Sequence, residues 1–100
     1  QANPDINVLW AANEGGTVAH ANAVKTLGLG GEVFVFGTDM NNQMGQMLQA
    51  GDDILQGVTG QAPFQMGYDA FMTMVRVMNG EMVPDVTNTP TIFSAVATTR

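Results

Sequence analysis

The chain has 100 residues, 45% of them apolar, which is enough for the core of one small domain and excludes a disordered segment. Nine acidic residues face only Lys25, Arg76 and Arg100, which are far apart, so the clustered cations that bind nucleic acid are missing. There is no cysteine, which removes disulfides, thiolate metal sites and cysteine catalysis.

Charge is sparse, and Asn, Gln and Thr supply much of the polar surface, a composition common among exported bacterial proteins. No run approaches the ~18 apolar residues needed to cross a membrane. The start, Gln1-Ala2-Asn3-Pro4, has no charged-then-apolar leader and reads as interior sequence, so the expectation is that a preceding part lies outside this chain.

Along the chain, apolar runs of strand character alternate with helical spacing. Residues 6–12 read as a short buried strand, closed by Asn13. From about residue 17 to 27, Val18, Ala21, Val24 and Leu27 recur at helical spacing, and Gly28 stands where a left-handed cap belongs. Residues 33–37 read as a second strand, after which comes Asp39. Met40, Met44, Met47 and Leu48 mark one face of a second helix that stops near Gly51.

Asp52-Asp53 reads as a solvated turn before a third strand at 54–60, which Gly57 weakens and Gln61 follows. Pro63 starts a third helix, its missing N–H costing nothing in a first turn. Phe64, Gly67, Tyr68, Phe71, Val75 and Met78 are expected to form its buried stripe, with Asn79-Gly80 ending it. Pro84 and Pro90 punctuate an extended segment, residues 91–93 read as a last short strand, and the tail Thr98-Thr99-Arg100 as frayed. The order implies right-handed βαβ units and a parallel α/β sheet.

Parallel α/β sheets bind ligands outside the carboxyl ends of their strands. Three polar residues occupy such positions: Asn13, Asp39 and Gln61. Each has a plain structural alternative, namely helix capping for Asn13-Glu14 and Asp39, and a linker role for Gln61. The Gly15-Gly16 pair would let a ligand approach closely. Converging, the three would make a neutral-to-acidic hydrogen-bonding cluster suited to a hydroxyl-rich ligand. Trp10 and Phe64 could stack on a sugar ring, although their settings favour core packing, as does the spacing of the methionines.

Enzymatic roles find no support in these residues. His20, the single histidine, has no carboxylate–serine or metal-ligand arrangement around it. Gly28-Leu29-Gly30-Gly31 follows a helix, the reverse of a dinucleotide fingerprint, and is read as a turn. No metal or cofactor is expected.

Together, the segments Leu9-Trp10-Ala11-Ala12-Asn13-Glu14, Val35-Phe36-Gly37-Thr38-Asp39 and Val58-Thr59-Gly60-Gln61-Ala62-Pro63-Phe64-Gln65-Met66-Gly67, with the ending Met78-Asn79-Gly80-Glu81-Met82-Val83-Pro84, resemble the C-terminal part of a type I periplasmic sugar-binding protein of the ribose/galactose/glucose-binding kind. The resemblance covers nearly the whole chain. It implies an incomplete lobe of that Rossmann/flavodoxin-like fold, with sugar hydroxyls contacted by Asn13, Asp39 and Gln61. Glu14 departs from the family's usual Asp, and Thr38 from an apolar residue.

The same resemblance implies a division of the chain: residues 1–61 within the C-terminal lobe, 62–89 crossing the hinge to pack on the N-terminal lobe, and 90–100 returning. It implies a monosaccharide or polyol ligand, a membrane permease of an ABC importer as partner of the full-length protein, and a periplasmic location. Isolated, the chain would expose its third helix and self-associate. A second reading is the sugar effector-binding core of a lactose-repressor-type transcription regulator, which shares the fold.

Overall fold

The structure, a computed structural model, describes residues 2–96. The expected frayed tail, Thr98-Thr99-Arg100, lies outside the described residues. The described residues divide into two compact units: residues 2–60 with 93–96, and residues 61–92.

In the first unit, strand β1 (Val8–Trp10) leads to helix α1 (Glu14–Thr26), strand β2 (Phe34–Thr38), helix α2 (Asn42–Gln49) and strand β3 (Leu55–Gly60). A later strand, β4 (Ile92–Ala95), adds to the sheet, whose order is β1-β2-β3-β4. β1 pairs with β2, and β2 with β3, both in parallel. Two successive crossovers in one direction place α1 and α2 on the same sheet face, as the right-handed rule requires.

The core lies beneath those helices. Ala21, Val24 and Met44 from the helical side meet Val35, Ile54, Leu55 and Val58, all nearly or wholly buried. A register shift after Val35 pairs Phe36 with Gly57, so Gln56 has no opposite number. The extra residue breaks the period-two alternation, and Leu55 and Val58, three apart, both reach the core. Gly57, read as a weakness in the strand, makes room instead: a Cβ there would stand 2.6 Å from Cζ of Phe93 on β4.

Helix α1 ends in a Schellman motif. The Gly28 N–H donates to Lys25 O and the Leu29 N–H to Val24 O, with Gly28 at φ +68 as expected. Leu27 caps this end and is exposed, so it leaves the predicted apolar stripe, and Thr17 joins that stripe in its place.

β1 corrects the expectation of a buried strand. It is an edge, and its Val8 and Trp10 side chains are exposed, Trp10 by 64%. Only Leu9 points to the helix-covered face, where it packs against the core. Trp10 pairs across the sheet with Phe36, on the face that α1 and α2 leave uncovered. It is therefore not a core residue here.

The second unit holds helix α3 (Pro63–Met78) and the extended segment that follows. Pro63 opens the helix as predicted, and a second Schellman motif closes it: Gly80 N–H to Val77 O, Glu81 N–H to Arg76 O. The stripe is exposed, as expected for the chain in isolation and not as its spacing alone predicts: α3 has no buried residue, and Phe64 is 85% exposed. Hydrophobic periodicity identifies the face a helix would bury, not whether a cover is supplied. The methionines divide accordingly: Met44 is fully buried in the first unit, whereas Met66, Met74 and Met78 of α3 are exposed.

Candidate functional site

Parallel pairing fixes which end of the sheet the loops share. Because β1 and β2 run the same way, with Trp10 opposite Phe36, the residues after both strands emerge at one edge. Asn13 follows β1 by three residues, Asp39 follows β2 directly, and Gln61 is the residue after Gly60 of β3. Gln61 is also the first residue of the second unit.

Asn13 is the N-cap of α1. Its Oδ1 accepts the Gly16 N–H at 2.8 Å, so the capping alternative is realised. That bond uses only the carbonyl oxygen; the Nδ2 amide is a separate donor on an exposed side chain.

For Asp39 the capping alternative fails. The N-cap of α2 is Asn41, whose Oδ1 accepts the Met44 N–H at 2.8 Å. Asp39 is half-buried and adopts φ 67, a left-handed conformation that Asp tolerates better than most residues but that is still uncommon outside glycine. Its backbone is pinned on both sides. The Thr38 N–H donates to Thr17 Oγ1 at 3.2 Å, and the Met40 N–H to Thr59 O at 3.3 Å.

Glu14, the first residue of α1, accepts a hydrogen bond from Asn41 Nδ2 at 2.6 Å. One asparagine thus caps α2 with its oxygen and ties that helix to the start of α1 with its nitrogen. The bond joins the two loops that carry Asn13 and Asp39. Trp10, the last residue of β1, projects onto the uncovered sheet face beside Phe36, and Phe64 is exposed in the first turn of α3.

Thr17 and Asn41, which bond the segments bearing Asn13 and Asp39, escaped the sequence reading, and Thr38 entered it only as a departure from the resembled family. Thr17 offered a signal, since it stands four before Ala21 and seven before Val24, on the buried stripe of α1. Gly37 offered none. It is glycine because Thr17 packs directly over it, and a Cβ would overlap the Thr17 side chain. Among the described residues no cluster of His, Cys, Asp or Glu could hold a metal ion.

A mostly parallel sheet with helices over one face, and polar residues after its strands, defines part of an α/β lobe. The family model described as the periplasmic binding protein domain matches residues 1–82, and the chain belongs to that family. It is a family of binding proteins, not of enzymes. The chain is 28% identical over 78 residues to the ABC transporter periplasmic-binding protein YphF of Escherichia coli, covering 78% of this chain and 24% of that protein.

Among solved structures it resembles GanP, a glucose-galactose binding protein from Geobacillus stearothermophilus, with a TM-score of 0.87 and 26% identity over 94% of this chain and 33% of that one. A carbohydrate transporter solute binding protein from Agrobacterium radiobacter, in complex with D-arabinose, gives 0.81 and 29%, over 94% of this chain and 31% of that one. A periplasmic solute binding protein from Actinobacillus succinogenes, with bound D-allose, gives 0.84 and 26%, over 94% and 32%. The chain therefore spans about a quarter to a third of the length of these relatives.

Proposed function

We propose that this chain is part of the solute-binding component of a bacterial ABC importer and supplies polar groups to a monosaccharide or polyol site. The observation that carries the reading is the placement of Asn13 and Asp39 after adjacent parallel strands, with Asp39 held at positive φ. Gln61, the residue after β3, is the third ligand contact in this reading. Glu14, Trp10 and Phe64 are secondary candidates: Glu14 as the brace between the two loops, the aromatics as exposed rings.

The chemistry is capture without reaction. The Asp39 carboxylate accepts from adjacent sugar hydroxyls, the stronger kind of hydrogen bond because the acceptor is ionised. Asn13 Nδ2 donates to a hydroxyl oxygen, and Gln61 can do both. Closure of a second lobe would exclude water and favour the closed form through its extra ligand contacts.

Residues 1–61 belong, on this proposal, to the C-terminal lobe, 62–89 cross to the other lobe, and 90–100 return. The sugars named for two of the relatives support the choice of a monosaccharide as ligand. A membrane permease would receive the closed form, in the periplasm or its extracytoplasmic equivalent.

The test is a thermal-shift screen of the full-length protein against pentoses, hexoses and polyols, followed by calorimetry of the best hit. Asp39→Ala is expected to abolish the stabilisation that this sugar gives. Full stabilisation in the variant would overturn the site assignment.

A further inference from the structure

We propose that Thr17 and Thr38 act as a hydroxyl clamp that sets the spacing of the Asn13 and Asp39 loops, making both threonines positioning residues for the sugar site; this rests on the function proposed above. Thr17 is fully buried, and it is the one polar side chain in the buried set of the described residues. Its hydroxyl donates to Asn13 O at 2.8 Å and accepts the Thr38 N–H at 3.2 Å. The first bond alone is unremarkable, because helical threonines commonly bond back to the carbonyl four residues earlier. The second is not local: it crosses 21 residues, from α1 to the last residue of β2.

Thr38 answers in kind. Its Oγ1 donates to Ala11 O at 2.9 Å, reaching back to the segment that leads from β1 to Asn13. Thr17 on α1 thus bonds the backbone one residue before Asp39, and Thr38 at the end of β2 bonds the backbone two residues before Asn13. The exchange needs α1 close to β2, which Gly37 permits by having no side chain where Thr17 lies. A methyl in place of the Thr17 hydroxyl would leave the Thr38 N–H without its acceptor. The loop would then relax, and displacement of about 1 Å in a preorganised polar site is costly.

The experiment compares the full-length parent with Thr17→Val, Thr17→Ser, Thr38→Val and Asp39→Ala. Sugar affinity is measured by calorimetry well below the melting point, and amide exchange at Thr38 and Asp39 by mass spectrometry. Thr17→Val is expected to weaken sugar binding about tenfold and to speed exchange at Thr38 by a similar factor, with Thr17→Ser restoring both. A merely stabilising threonine would lower the melting temperature without changing affinity.

Affinity within twofold of the parent, with unchanged exchange at Thr38, would overturn the clamp. Should Thr17→Val fail to fold, Thr38→Val carries the same two readouts. Should Asp39→Ala bind sugar as the parent does, the site assignment fails while the clamp is still judged on exchange. If the parent binds no sugar, the positioning role falls with the functional reading.

Discussion

Asn13 holds two jobs on two atoms, and a single substitution separates them. Asn13→Asp keeps an oxygen for the Gly16 N–H and is equally favoured as an N-cap, so stability is expected to stay within about 0.5 kcal/mol. The Nδ2 donor is gone, and sugar affinity should fall on the order of tenfold. Calorimetry and urea melts of the full-length protein read the two effects separately; equal affinity would exclude Asn13 as a ligand contact. At Gly37 the expectation concerns packing alone. Gly37→Ala drives a methyl into Thr17, whose bonds leave it little room to move, and should cost about 2–3 kcal/mol. A change in urea midpoint corresponding to less than about 1 kcal/mol would mean that α1 can shift.

Among the elements, α2 depends most on its ends. It has eight residues and no charged side chain to complement its dipole, so the Asn41 cap matters more than in a longer helix. Asn41→Ala removes both the bond to the Met44 N–H and the brace to Glu14. A loss of about 1–2 kcal/mol in chemical denaturation is expected. Met44, fully buried beneath the same helix, should cost about 2–4 kcal/mol on truncation to Ala. If Met44→Ala were nearly neutral, the core beneath α2 would have to be more pliable than its burial implies.

On the scale of the whole chain, an apolar surface stands uncovered in each unit among the described residues. The first is the sheet face bearing Trp10 and Phe93; the second is the Phe64, Tyr68 and Phe71 stripe of α3. Patches of this kind mark surfaces that another polypeptide covers. The 100-residue chain alone is therefore expected to associate with rising concentration, as sedimentation would show, and to bind monosaccharides more weakly than about 1 mM. Its single tryptophan should emit as an exposed indole, open to acrylamide quenching. In the full-length protein that emission should shift to the blue, and an unshifted spectrum would leave the sheet face bare there too.

Element order, helix stops and strand-end residues were legible in the sequence because they follow from local rules. Alternation of apolar runs with helical spacing gave the βαβ units, Gly28, Gly51 and Gly80 the three helix stops, and Pro63 a helix start. Burial was less legible. Trp10 and the α3 stripe are apolar in the right pattern yet exposed, because a pattern states what a segment would bury and only neighbouring chain decides whether it does. The capping question was settled by tertiary structure as well: Asn and Asp are nearly equivalent by propensity, and the observed placement gave α2 to Asn41 and left Asp39 at the strand end. The hydroxyl exchange between Thr17 and Thr38 joins residues 21 apart, a relation that exists only once the sheet brings their two loops together.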